Sequence, residues 1–256
     1  MASGRDGTAT TKARRRTAGT PAQAARAEPV GLNRAQIVET ALRLIDEAGL
    51  DAFSVREVAR LLGVYPTALY WHLPGGRNTL LAEAAAAALD DVAEPFVAGS
   101  DWAAWIRGLF HRYRESLRRH PNVAPLLGAQ LVSNAGVNPQ LVEQVLAALE
   151  AAGFAGDRLV AAYNAVIAAM LGYVTLELAP KPSDDPTGWA EAFEGKIRSL
   201  SPADYPRLTG NLDRLANRGF IVRWQSGVEV PLTSGFDLYV EAFIAGLRVQ
   251  AGDVTG

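Results

Sequence analysis

An all-α fold is the expectation for this chain: a three-helix head containing two short helices about a glycine turn, followed by a larger helical domain. From about residue 78 onward the apolar periodicity is helical almost throughout, with no alternating strand of convincing length. The segment 54–72 packs a helix start, a glycine stop and a second helix start into a few turns of chain. Within 179–233 the helical pattern is broken by Pro180, Pro182, Pro186, Gly188, Pro202, Pro206, Gly227 and Pro231.

Residues 1–30 carry Arg5, Lys12, Arg14, Arg15, Arg16 and Arg26 against Asp6 and Glu28, with little apolar content. Such an arm has nothing to bury and is expected to be disordered. Its arginine and threonine content mildly resembles an organelle transit peptide, but no apolar core of a secretory signal is present. The first helix begins after Asn33, which with Gln36 forms a weak capping pair. Its stripe of Ile37, Ala41, Leu44, Ile45 and Ala48 stops at Gly49. The second starts at Ser54, where Glu57 stands three residues on as a capping box. Val55, Val58, Ala59 and Leu62 share its buried face, and Gly63 has the backbone freedom to turn the chain at once. Pro66 suits the first turn of a third helix, where a missing N–H costs nothing, and Leu69 is its anchor.

On that third helix Tyr65, Thr67, Ala68, Tyr70, Trp71 and His72 remain free to face outward. They offer hydroxyls, a methyl and ring edges of the kind that touch base edges and phosphates in a major groove. A Leu-Tyr-Trp cluster at helical spacing is more often core. The capped, glycine-turned helix ahead of it favours the contact reading.

Gly63-Val64, Leu69-Tyr70-Trp71-His72-Leu73, and Arg77 ahead of Leu80-Leu81 together resemble the DNA-binding domain of the tetracycline-repressor (TetR) family over 31–95. The resemblance implies that Arg56 touches a base from the second helix. It likewise implies that Pro66, Thr67, Ala68 and Tyr70 occupy recognition-helix contact positions, and that Tyr70, Trp71 and His72 reach backbone or adjoining bases. Arg77 stands where the family has a phosphate-binding lysine. Two departures are visible: the loop 73–77 is one residue longer than usual, and Tyr65 replaces a serine-like cap. The operator cannot therefore be borrowed from a known member. With a DNA partner implied, the basic arm can lie in a minor groove or along phosphates, or remain a solvated tail.

A helix over 78–97 is expected to connect the head, 31–78, to the remainder, 79–256. Ser100 is the expected cap of a helix with Trp102, Trp105, Ile106, Leu109, Phe110, Tyr113 and Leu117, ending near His120-Pro121. Asn138-Pro139 opens another that runs to Gly153. The stretch 157–178 is apolar nearly all round, and so is expected to be buried on most sides. Within 179–233 two short helices are expected, 187–199 and 202–218, with Phe220–Trp224 either a short strand or packed coil. The last helix spans 236–249.

Small residues at Ala161, Ala165, Ala168, Ala169 and Gly172, and at Ala242, Ala245 and Gly246, would admit a second helix closely. The resemblance implies a four-helix homodimer interface, which a palindromic double-stranded DNA operator also requires. It further implies a small-molecule effector in the second domain that weakens DNA binding, the behaviour of a ligand-responsive repressor. Candidate pocket residues are Trp105, Phe110, Tyr113, Tyr163, Met170, Tyr173 and Trp224, with Asn164 and Glu177 as polar groups, although each also reads as core. Asn164 stands out, because a buried amide in an apolar helix needs partners. The stretch 90–94 lacks the metal-chelating histidine of tetracycline recognition, so tetracycline is not the expected effector.

Charge is uneven: residues 1–78 hold 11 Lys and Arg against 7 Asp and Glu, and the remainder 14 against 20, so only the front suits a polyanion. Zero cysteines exclude disulfides, thiolate catalysis and cysteine-ligated zinc. His111 and Glu115 lie one turn apart, but two ligands do not make a metal site. No phosphate loop, dinucleotide fingerprint or Gly-x-Ser-x-Gly appears, and no enzyme, cofactor or metal is expected. No run approaches the roughly 18 apolar residues of a membrane span, so a cytoplasmic protein without a membrane partner is expected. The competing reading is a protein-interaction adapter in which Arg56, Thr67 and Tyr70 are dispensable.

Overall fold

The chain enters its first helix through a reciprocal cap. The Asn33 carboxamide accepts from the Gln36 amide (2.9 Å), and the Gln36 side chain accepts from the Asn33 amide (3.1 Å). The structure, a computed structural model, describes residues 32–127, 138–182 and 184–252. The basic arm expected over 1–30 lies outside them.

Helix α1, Arg34–Ala48, buries Ile37, Ala41, Leu44 and Ile45, and hands over to α2, Val55–Leu61. The capping strengths run opposite to expectation. At Ser54 only half the box forms: its Oγ accepts from the Glu57 amide (3.1 Å), while the Glu57 carboxylate turns to Arg60 one turn on (3.0 Å to Nε). Gly63 takes φ +67° and lets α3, Pro66–His72, start within three residues. Leu69 and Leu73 are fully buried with Ile37, Ala41, Ile45, Val58, Ala59 and Leu80, so the α3 anchor joins one core with α1, α2 and the next helix.

That next helix, α4, spans Gly76–Ala88 and is shorter than the expected 78–97. Asp90 and Asp91 follow at the negative end of the helix dipole, and Pro95 disfavours helix in the residue before it. The Ala88 carbonyl accepts from the buried Ser116 hydroxyl, and Asp91 pairs with Arg119. Helix α5, Trp102–Arg119, is capped by Asp101 and not by Ser100: its carboxylate accepts from the Ala103 (2.9 Å) and Ala104 (3.1 Å) amides. A carboxylate suits the positive helix end better than a hydroxyl. A 3₁₀ turn, Pro121–Val123, ends this segment.

Helices α6, Pro139–Ala151, and α7, Gly156–Glu177, pack on α5. The expectation that α7 is buried on most sides does not hold within one protomer. Ala162, Val166, Met170, Val174 and Glu177 form its buried face, whereas Ala161, Asn164, Ala165, Ala168, Gly172 and Leu176 are exposed. By length and composition α7 also qualifies as a membrane-spanning helix, against the expectation that no run comes close. Uncharged alanines raise its hydropathy, and the same alanines keep its surface narrow enough for another helix. Its buried end carries an ion pair with α5, which places it in a protein bundle.

Helix α8 is Pro186–Arg198, and the expected single helix 202–218 breaks at Gly210-Asn211 into α9, Pro206–Gly210, and α10, Leu212–Leu215. The segment 220–224 is packed coil. Asn217, at φ +58°, accepts from the Trp224 (2.8 Å) and Gln225 (2.9 Å) amides through its side chain and tucks Trp224 inward. The final helix, α11, runs Thr233–Ala251 and lies against α5 and α7.

Candidate nucleic-acid interface

With Leu69 fully buried, the remaining side chains of α3 are sorted by the helix geometry. Trp71 is 84 % exposed and Tyr70 54 %, and Tyr65 just ahead of the helix is 84 % exposed. Rings of this size left in solvent on a helix of seven residues are unusual for core material. Thr67, Tyr70 and Trp71 stand at i, i+3 and i+4 and so share a face. Thr67, Arg56 and Arg77 are exposed, whereas Pro66, Ala68 and His72 are half-buried. Arg77 lies with its guanidinium 5.5 Å from the Phe53 ring centroid, a cation–π contact that fixes its direction despite the long 73–77 loop. Tyr65 makes no side-chain cap; its carbonyl accepts from the Ala68 amide (2.9 Å), and Pro66 has no N–H to satisfy.

Two devices that hold this head were not visible in the sequence. The first is Arg34, which donates to the His72 carbonyl (2.8 Å) and pairs with Glu83, tying the end of α3 to α1 and α4. The Glu83 carboxylate and the bond it accepts hold the Arg34 pKa above its usual value. The second is a knuckle between the end of α1 and the turn after α5. His120 Nδ1 lies 2.8 Å from an Asp46 carboxylate oxygen, and the Asn122 side chain donates to the Ile45 (2.9 Å) and Asp46 (3.1 Å) carbonyls. These partners lie 38 to 77 positions apart, so no local spacing could signal them.

The nine pocket candidates are not gathered in one place. Phe110, Tyr113 and Met170 are buried in the α5–α7 core, and Trp105 meets Phe96 edge-on at 5.9 Å. Tyr163 is half-buried on α7. Tyr173 stacks on Tyr239 (5.2 Å), donates to the Leu232 carbonyl (3.0 Å), and has its hydroxyl pushed up to about 12 by burial and then by the Glu177 charge. Trp224 lies apart, in a cleft with α8. Asn164 is exposed, which removes the argument from a buried amide: among the described residues of one protomer nothing covers that side of the apolar helix. Glu177 is not free to orient a ligand. It accepts from Arg114 Nε (2.8 Å) and Nη2 (2.7 Å) and from the Leu232 amide (2.8 Å), which pins the otherwise uncapped start of α11. Burial alone would raise this carboxyl, but the Arg114 and Leu232 bonds outweigh it and hold it below its usual range. The Tyr113 hydroxyl and the Trp105 indole N–H are buried with no hydrogen-bond partner among the described residues, and burial pushes the Tyr113 pKa up. His111 sits against Asp237 (4.0 Å) and the Phe236 ring.

A glycine-turned helix pair with an exposed second helix, carried on a larger helical domain, defines a helix-turn-helix DNA-binding regulator. The description "bacterial regulatory proteins, tetR family" fits residues 37–84, and "tetracyclin repressor-like, C-terminal domain" fits 94–220. An HTH-type transcriptional regulator of Saccharopolyspora erythraea is 30% identical over 232 residues, 91% of each chain. The class D tetracycline repressor of Escherichia coli is 34% identical over 91 residues, 35% of this chain and 41% of its own. Among solved structures, apo ActR of Streptomyces coelicolor superposes with a TM-score of 0.66 at 23% identity, covering 88% of this chain and 98% of that one. ActR has also been solved in complex with actinorhodin, with a TM-score of 0.63 at 22% identity and coverage of 88% and 100%. The chain belongs to the TetR family of HTH-type transcriptional regulators. That membership disfavours the adapter reading.

Proposed function

We propose that this regulator reads a palindromic operator as a homodimer, through Arg56, Tyr65, Pro66, Thr67, Ala68, Tyr70, Trp71, His72 and Arg77, and leaves it when a small molecule binds its helical domain. The carrying observation is the α3 surface: a helix anchored by one fully buried leucine that leaves Tyr70 and Trp71 in solvent beside Thr67. Hydroxyls and ring edges there suit base edges and methyl groups, and Arg56 and Arg77 suit phosphates or guanine. The head is 31–78 and the effector and dimer domain 79–256. As a DNA-binding regulator the protein acts in the cytoplasm.

The dimer surface is the exposed face of α7 and α11. Ala161, Ala165, Ala168 and Gly172 recur at helical spacing, beside Leu238 (72 % exposed) and Val249 (64 % exposed) on α11. The effector site is the α5–α7 core around Tyr113, whose hydroxyl wants a partner. ActR, solved in complex with actinorhodin, supports a small-molecule effector. Effector binding would displace α5 and, through the Asn122–α1 knuckle and the Ser116 bond to the end of α4, change the spacing of the two α3 helices. Selection of bound fragments from sheared genomic DNA tests the reading: an inverted repeat should be enriched, and enrichment of no motif would contradict it.

A further inference from the structure

Outside the helical core, beside the last turn of α7, Trp189, Phe193, Phe220, Ile221 and Trp224 wall an open cleft of about 260 Å³. Trp189 and Phe193 stack in parallel, 5.4 Å between centroids and 10° between planes, which presents a flat aromatic wall. The polar groups of the cleft are Lys181, Arg223 and Gln225, and among the described residues no carboxylate lines it.

Arg223 is the unusual member. Its guanidinium donates from Nη1 to the Glu177 carbonyl (3.0 Å), and from Nε and Nη2 to the Gln225 carbonyl (3.1 Å each). Three bonds to neutral oxygens hold its plane and leave two N–H groups over, yet none of the acceptors carries a charge. Among the described residues no carboxylate pairs with it, whereas Lys181 pairs with Glu229 at 2.9 Å and Arg198, above the Trp224 ring, pairs with Glu194 at 2.7 Å. Burial pulls the Arg223 pKa down and the nearby Glu177, Tyr173 and Glu229 offset only part of that. A half-buried guanidinium held rigid and with no carboxylate in contact among the described residues, at the edge of an aromatic wall, is complementary to a planar acid.

We propose that this cleft binds a small planar aromatic carboxylate, its ring against Trp189, Phe220 and Trp224 and its carboxylate on the open side of Arg223. The carboxylate would give Arg223 a contacting counter-charge through charge-assisted bonds, and the rings would add offset stacking. Leu176 of α7 lines the same cleft, and the carbonyl that holds Arg223 belongs to Glu177, whose carboxylate holds the start of α11. Occupancy therefore bears on the α7–α11 junction. The site is separate from the Tyr113 core and does not depend on the operator reading.

Calorimetric titration of the full chain with 2-naphthoate, and with the neutral 2-naphthamide, tests the assignment. Ile221→Glu, at a side chain 84 % exposed, places a repelling carboxylate on the wall without disturbing the core. Naphthoate should saturate at one per chain, with affinity about tenfold or more weaker for the amide and for Ile221→Glu, and unchanged in Tyr113→Phe. Equal affinity for acid and amide, indifference to Ile221→Glu, or sensitivity to Tyr113→Phe would each overturn it. Absence of saturable binding would show the cleft closed in the assembled protein and would overturn it as well.

Discussion

The two outward faces of this regulator are made of opposite materials. On α3 the exposed side chains are large and edged with polar atoms: Tyr70, Trp71 and Thr67, with Tyr65 ahead of them. On α7 and α11 they are small or aliphatic: Ala161, Ala165, Ala168, Gly172, Ala242 and Ala245. Both faces lack a partner among the described residues of one protomer, and both would be called apolar by composition. Size separates them. Rings and hydroxyls reach into a groove and find donors and acceptors there, whereas alanine and glycine let a second backbone approach until main-chain surfaces touch.

The comparison breaks most completely at Ala168. Ala168→Arg puts a long charged side chain on the narrow face, and sedimentation should show loss of the dimer, with a dissociation constant raised at least about 100-fold. An intact dimer would remove α7 from the interface. Next comes the ion pair behind that face. Glu177→Ala leaves Arg114 buried without a counter-charge and should cost about 3–5 kcal/mol in urea unfolding, whereas the double change Glu177→Leu with Arg114→Met should recover most of it. The stability that Glu177 supplies is complete above its ordinary value of 4.5 and should fade as pH drops through its lower folded-state value. The Glu177→Leu, Arg114→Met protein should lack that acid-side loss.

On the other face the expected effects are smaller and confined to DNA. Tyr70→Ala and Arg56→Ala should each weaken operator binding by about 1–3 kcal/mol while the dimer persists. Smallest are the caps. Asn33→Ala, which removes a reciprocal pair of bonds, should lower thermal stability by about 1 kcal/mol and by more than Ser54→Ala, which removes one. The reverse order would show that the Glu57–Arg60 pair, and not the cap, holds the start of α2.

The head was legible in the sequence because its instructions are local. Ser54, Gly63, Pro66 and the apolar spacing around Leu69 act within a turn or two of chain. The helix assigned to 78–97 ended early because alanines mark no face, although Asp90, Asp91 and Pro95 hold the stop signal. Arg34 with the His72 carbonyl, Asp46 with His120, and Arg114 with Glu177 were not legible, since hydrogen-bond partners 38 to 74 positions apart leave no periodic trace. Asn164 shows a different limit. An apolar surround reads as burial, but sequence alone does not say whether the cover is the same molecule or another, and the single protomer leaves Asn164 open.

The reading of α3 as the recognition helix is tested most directly by fluorescence anisotropy of the purified protein on labelled DNA from upstream of its own gene, carried out at several salt concentrations with random DNA as competitor. Wild-type protein should hold the labelled DNA against the competitor, and Tyr70→Ala should lose about 1–3 kcal/mol of that preference, as a dimer with the same nonspecific salt slope. Specific binding that survives in both Tyr70→Ala and Arg56→Ala would contradict the assignment of α3 and α2 as the surface that reads DNA.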